Sequence, residues 1–178
     1  MSVHTALLRV EEFLKLPDPL EGHNELHHGE VVVMPPPKKG HQRLQNRLQS
    51  LLQRLAGERY VVYMEMAFRP TPEHEVWQAD VGCVSRGRHE ATGDDEYLMG
   101  APEVVVEVLS PSNTVDEIND KMSICMANGC KSFWVVDWKR RVVSVTEGAV
   151  TRHVGAPSTG VILCSMFEGQ LEVKEIFA

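Results

Sequence analysis

Apolar positions change period several times along this chain, and each change marks an element. From His41 to Ala56, Leu44, Leu48, Leu51 and Leu55 recur at spacings of four, three and four, which puts them on one stripe of a helix. Arg43, Arg47 and Arg54 fall on a second stripe, roughly 90° around at ~100° per residue. Before it, Arg9–Leu16 predicts a short helix stopped by Pro17-Asp18-Pro19. Asn24–Leu26 and Val31–Met34, joined by a turn at His28-Gly29, predict a hairpin. Pro35-Pro36-Pro37 ends it, because proline has no donor for a ladder. Strands are predicted over Val61–Phe68, Trp77–Val84 and Val104–Leu109. Thr114-Val115-Asp116-Glu117 has the form of a capping box and opens a helix that Gly129 ends. Phe133–Asp137 predicts a buried strand. The tail, with Val142–Thr146, Val150–Val154, Val161–Cys164 and Leu171–Val173, predicts an antiparallel meander. This order makes residues 1–178 one α/β or α+β domain on a mixed sheet flanked by helices.

Composition narrows the class. The chain has 178 residues, 43% hydrophobic and 24% charged, an ordinary globular balance. Its longest apolar runs fall far short of the ~20 residues that cross a bilayer, so no membrane-spanning role is expected. Residues 1–20 show no basic start followed by an apolar stretch, so no secretory signal is expected either. Cys83, Cys125, Cys130 and Cys164 lack CxxC spacing and are read as buried free thiols in a reducing cytoplasm. The net charge of −7 excludes nucleic-acid binding by bulk electrostatics. Any such contact needs a local patch, and five basic residues with no acid between Lys38 and Arg54 offer one.

Two acids break the strand pattern. Period two places Asp80 on the face of Gln78, Gly82 and Val84, and Glu107 interrupts an aliphatic run that reads as a strand buried on both sides. A carboxylate there is costly unless it is paired or binds a cation. Both readings stand open: salt-bridged structural acids, or ligands of one metal. Lys121 is a third outlier. On the helical wheel it lies beside Ile124 and Cys125 and points at the sheet, either as a lysine whose stem passes over the apolar face or as an ammonium near the two carboxylates. A hard divalent cation on carboxylates, with a lysine nearby, suits phosphodiester hydrolysis.

These residues also carry a resemblance. Asn24-Glu25-Leu26-His27-His28-Gly29-Glu30-Val31-Val32, then Met34-Pro35-Pro36-Pro37 with His41 following, are the first matching stretches. Gln78-Ala79-Asp80-Val81 and Gly100-Ala101-Pro102-Glu103-Val104-Val105-Val106-Glu107-Val108-Leu109-Ser110-Pro111-Ser112 come next. Asp120-Lys121 and Phe133-Trp134-Val135-Val136-Asp137 complete the set. Together they resemble the Uma2 family of restriction-endonuclease-like proteins, within the PD-(D/E)XK nuclease superfamily. The resemblance implies a restriction-endonuclease-like core, Asp80 and Glu107 as ligands of Mg²⁺ or Mn²⁺, and Lys121 as the catalytic lysine supplied by the following helix. The superfamily's usual place for that lysine, two residues after the acid, is Leu109 here. Glu25 and His41 match recurrent positions and would line the same cleft. Ala79 stands where a proline is usual, and Cys125 where a tyrosine is usual.

Three readings follow. The first is a metal-dependent nuclease, with Asp80, Glu107 and Lys121 catalytic and Arg43, Arg47 and Arg54 contacting nucleic acid, DNA by preference. The second is a non-catalytic binding protein on the same scaffold. The third is a hydrolase of another phosphate ester. The apolar C-terminal strands offer a surface for a homodimer, as nucleases that cut both strands often use.

Overall fold

A computed structural model describes residues 7–111, 113–155 and 160–178. Ser112, the last residue of the Val-Glu-Val-Leu-Ser-Pro-Ser string, lies outside the described residues. The elements are α1 (Val10–Phe13), β1 (His23–His27), β2 (Glu30–Met34), α2 (Lys39–Ala56), β3 (Tyr60–Arg69), β4 (Trp77–Ser85) and α3 (Arg86–Ala91). They continue with β5 (Leu98–Met99), β6 (Val104–Val108), α4 (Val115–Ala127), β7 (Ser132–Asp137), β8 (Val142–Glu147), β9 (Val150–Gly155), β10 (Val161–Ile162), β11 (Leu171–Glu172) and α5 (Val173–Ile176). Among the described residues no helix is long and apolar enough to cross a membrane.

Seven strands form one mixed sheet in the order β5-β3-β4-β6-β7-β8-β9. β6 and β7 run parallel, as a strand–helix–strand crossover through α4 requires. The antiparallel hairpin steps to β8 and β9 extend the sheet. The two faces are covered differently. On one, the leucine stripe of α2 packs against Val81, Val104, Val106, Trp134 and Val136. On the other, Cys125 of α4, with Met122 beside it, meets Ala79, Val105 and Phe133. The predicted capping box forms: Thr114 Oγ1 accepts from the Glu117 N–H, and the Glu117 carboxylate accepts from the Thr114 N–H. All four cysteines are buried and free.

The β1–β2 hairpin lies outside the main sheet and turns at His28 and Gly29, with φ of 52° and 78°. Two successive positive φ values define a type I′ turn, whose twist suits the flanking strands. The hairpin docks on the start of β4 by reciprocal backbone bonds between Leu26 and Val76. That docking sets the position of Glu25.

The expectations needed adjusting in four places. The first helix is one turn, because only Val10 and Phe13 find a core to enter while Leu14 and Leu16 stay exposed. The last two strands of the tail do not extend the meander. β10 and β11 pair with each other, and Ile162, Phe167, Leu171 and Ile176 fold over the α2 side of the sheet. The expectations held no helix at α3 and no strand at β5, since neither carries an apolar period. β5 is fixed instead by parallel pairing with the end of β3, and α3 by the Arg88 guanidinium, which donates to the carbonyls of Met99 and Ala101 and to Glu103. α5 was also unforeseen, being a single turn anchored by Val173 and Ile176.

If the leucine face of α2 carries the core, Leu52→Ala should cost about 2–5 kcal/mol of unfolding free energy. Thr114→Ala, which removes one cap, should cost only about 1 kcal/mol. Urea titration of both variants checks this, and equal losses would contradict it.

Candidate active site

β4 and β6 pair as Cys83↔Val104, Gly82↔Val105 and Val81↔Val106, and there the ladder stops. The next opposed positions are Asp80 and Glu107. On the other side of β4, pairing with β3 skips Asp80, opposite Glu65, whose φ is +50°. The alternation of β4 slips at this break. Val81 and Cys83 face the α2 side, whereas Ala79 and Val84 pack on the α4 side. Asp80 therefore reaches α2 and does not share the face of Val84, as strict period two required. The left-handed residue interrupting the ladder opposite it is the physical reason.

At this fork, side chains replace the missing ladder bonds. Asp80 Oδ2 accepts the Val108 N–H at 2.7 Å, and Glu107 Oε1 accepts the Asp80 N–H at 3.4 Å. Asp80 Oδ1 accepts from His41 Nε2 at 2.8 Å and Gln45 Nε2 at 2.9 Å, both on α2. Lys121 enters from α4 across the opposite face. Its Nζ lies 2.9 Å from Glu107 Oε1 and donates to the Gln78 carbonyl at 2.6 Å. It also sits 5.8 Å from the centre of the Trp77 ring, within cation–π range. Lys121 is 7% exposed, Glu107 8% and Glu25 2%.

Glu25 completes the cluster from the hairpin. Its Oε2 accepts from the Gln78 N–H at 3.2 Å and from His27 Nε2 at 2.8 Å, and its Oε1 from His23 Nε2 at 3.1 Å. The Gln78 peptide thus stands between the Glu25 carboxylate and the Lys121 ammonium. His27 stacks on Trp77 at 3.7 Å. A cavity of about 190 Å³ opens beside Glu25, with His23, Gln78 and Tyr97 in its wall. His23 and His27 were not singled out as site residues. Their signal was the His23-x-Glu25-x-His27 alternation, which places all three on one face of a strand. Glu75 joins the cluster from the segment before β4. It accepts from Trp77 Nε1 at 2.5 Å and from His28, which in turn reaches Asp120, the neighbour of Lys121.

Charge at the fork is unequal. Three carboxylates, Glu25, Asp80 and Glu107, act on one ammonium. Burial alone would favour the neutral amine, but Glu107 and Glu25 outweigh it and hold Lys121 charged. Burial likewise pushes Glu25 up, yet Lys121 and the hydrogen bonds from His23 and His27 bring it well below the usual carboxylate range. Burial raises Glu107 to about 7; Lys121 opposes the shift while Asp80 and Glu25 add to it. Burial lowers His41, but its hydrogen bond to Asp80 and the nearby acids raise it overall.

The structure thus brings together Asp80, Glu107, Lys121, Glu25 and His41. It separates the three arginines. Arg43 and Arg47 line a groove on the outer side of α2, whereas Arg54 pairs with Glu175 at 2.8 Å. Cys125, at the position where a tyrosine is usual, is fully buried. Among the described residues no three His, Cys, Asp or Glu side chains are gathered as a ready-made metal cage.

The fork, the mixed sheet and the helix on each face define a nuclease-like α+β fold. A solved structure described as a "putative nuclease belonging to DUF820", from Anabaena variabilis, superposes on 96% of this chain and 97% of its own, with a TM-score of 0.81 at 20% identity. The Uma2 family, described as "Putative restriction endonuclease", matches residues 10–173. The chain belongs to the Uma2 family. Comparison with curated proteins gives no significant match.

Glu107 and His41 both bind their protons more tightly in the fold than their ordinary values. A raised folded pKa gives stability that is present at low pH and lost as pH rises through the folded value. Without divalent ions, the protein should therefore be less stable at pH 8 than at pH 6, and Glu107→Gln should remove much of the difference. Urea midpoints in EDTA at the two pH values test this; a parent more stable at pH 8 would contradict it.

Proposed function

We propose that this chain is a metal-dependent nuclease that hydrolyses phosphodiester bonds of nucleic acid at the β4–β6 fork. The observation that carries the reading is the meeting, where two strands part, of two carboxylates with a buried ammonium on one of them. Family membership and the nuclease-like fold support it.

The donor set fits Mg²⁺ or Mn²⁺. Asp80 and Glu107 offer hard oxygen ligands, and the fork is short of positive charge. Among the described residues no hydrogen bond reaches Glu107 Oε2. Two protein carboxylates suffice for such an ion, which commonly keeps several waters. When bound, the cation supplies charge neutralisation at the phosphate and acidifies a water. The remaining work falls to this chain's own residues. His41 and Gln45 fix the orientation of the Asp80 carboxylate. The Lys121 ammonium stabilises negative charge developing on the phosphate as water attacks phosphorus and the leaving oxygen departs. Glu25 keeps that ammonium charged and, through the Gln78 peptide, in place.

Supercoiled plasmid, whose negative supercoiling favours unpaired segments, tests the reading with Mg²⁺ or Mn²⁺. The parent should nick it. Lys121→Met keeps the stem, and Glu107 can answer the lost charge by taking a proton, so the fold should persist. Nicking by this variant should fall by about 10²-fold or more, and Asp80→Ala should abolish it. Unchanged turnover in Lys121→Met would make the lysine structural. A parent that cuts no nucleic acid with either metal, with the fold intact, would favour the non-catalytic reading.

A further inference from the structure

α2 turns two different faces to its surroundings within the same two turns. His41 and Gln45 reach inward to Asp80. Arg43 and Arg47 point into a groove of about 150 Å³ on the outer side, whose far wall holds Trp138 and Arg141 from the β7–β8 turn and Phe177 beyond α5. Among the described residues no acid pairs with Arg43, Arg47 or Arg141, in contrast to Arg54 on the same helix. The turn is shaped to present its side chains. Asp137 Oδ1 accepts the N–H groups of both Lys139 and Arg140. Arg141 sits at φ +55°, a costly conformation for a side-chain-bearing residue. Its guanidinium lies 5.5 Å over the Phe177 ring. Trp138 is 51% exposed.

The groove lies at the same end of the sheet as the fork. Glu107 and Val108 pair in parallel with Val135 and Val136, and Trp138 is two residues further along β7's course. Three unpaired guanidinium groups around an exposed indole form a cationic channel with a stacking platform, which suits a strand whose bases are free to stack. A duplex hides its base faces and calls for a broad basic surface, which a chain of net charge −7 does not offer. We propose that this groove binds single-stranded nucleic acid, with phosphates on Arg43, Arg47 and Arg141 and an unpaired base on Trp138. Its purpose, delivery of a strand to the fork, rests on the nuclease reading; its binding chemistry does not.

The test is anisotropy of a fluorescein-labelled oligothymidylate across a salt series, in EDTA so that cleavage cannot intervene. Three phosphate contacts at about −0.7 each predict a slope of log affinity against log salt of about −2 for the parent. The double variant Arg43→Gln/Arg47→Gln should weaken binding and flatten the slope by about 1.4. Trp138→Ala should weaken binding by about fivefold or more while leaving the slope alone. Arg54→Gln, whose arginine pairs with Glu175 outside the groove, should bind as the parent does. Arg43 and Trp138 are exposed, so their variants should fold as the parent does, and circular dichroism of each verifies it. Groove variants that bind as tightly as the parent, or a parent that does not bind the strand at low salt, would overturn the proposal. Groove-dependent binding by a parent that cuts nothing with Mg²⁺ or Mn²⁺ would uphold the groove and overturn the nuclease reading alone.

Discussion

A single ammonium balances three carboxylates in the interior of this protein, and the elements around it are arranged to make that balance hold. Lys121 comes from α4, Glu107 from β6, Asp80 from β4 and Glu25 from the docked hairpin. A charge removed from water is tolerated only with close, well-directed partners. Here Glu107 and the Gln78 carbonyl lie within hydrogen-bond reach of Nζ, and the Trp77 ring covers one side. The hairpin, which contributes no strand to the main sheet, is held by Leu26 and Val76 where it brings Glu25 to the Gln78 peptide. Three carboxyl groups share this one ammonium, and burial raises Glu107 to about 7; a divalent ion at the fork would favour its ionised form.

The same constraint explains why β4 and β6 part where they do. Backbone donors buried at a broken ladder must find acceptors. The Val108 N–H finds Asp80, and the Asp80 N–H finds Glu107. The carboxylates thus satisfy the parted backbone, Asp80 while bonded to His41 and Gln45 of α2 and Glu107 while paired with Lys121 of α4. Glu65, in its left-handed conformation, breaks the ladder on the other side of Asp80 and lets that residue turn toward His41 and Gln45.

Much of this was legible in the chain. Period-two and helical patterns located the long elements, because those patterns are the buried faces themselves. Asp80, Glu107 and Lys121 stood out as charges on apolar faces, and the structure places all three at one fork. What could not be read was fixed by tertiary contact. α3 depends on one arginine donating to three acceptors, β5 on pairing with the end of β3, and β10 and β11 fold over the α2 face. The turn of Asp80 toward α2 depends on a backbone break that no period announces. The split of the arginine stripe depends on Glu175, far away in sequence, which takes Arg54 and leaves Arg43 and Arg47 open. His27 lay next to a turn, and nothing local showed that its ring would stack on Trp77.

The central claim is that Asp80 and Glu107 form a divalent-cation site beside Lys121. Anomalous diffraction from crystals soaked in Mn²⁺ tests it most directly. The account predicts one anomalous peak in contact with both carboxylates, lost in crystals of Glu107→Gln. No peak at the fork, or a peak that survives the substitution unchanged, would contradict it.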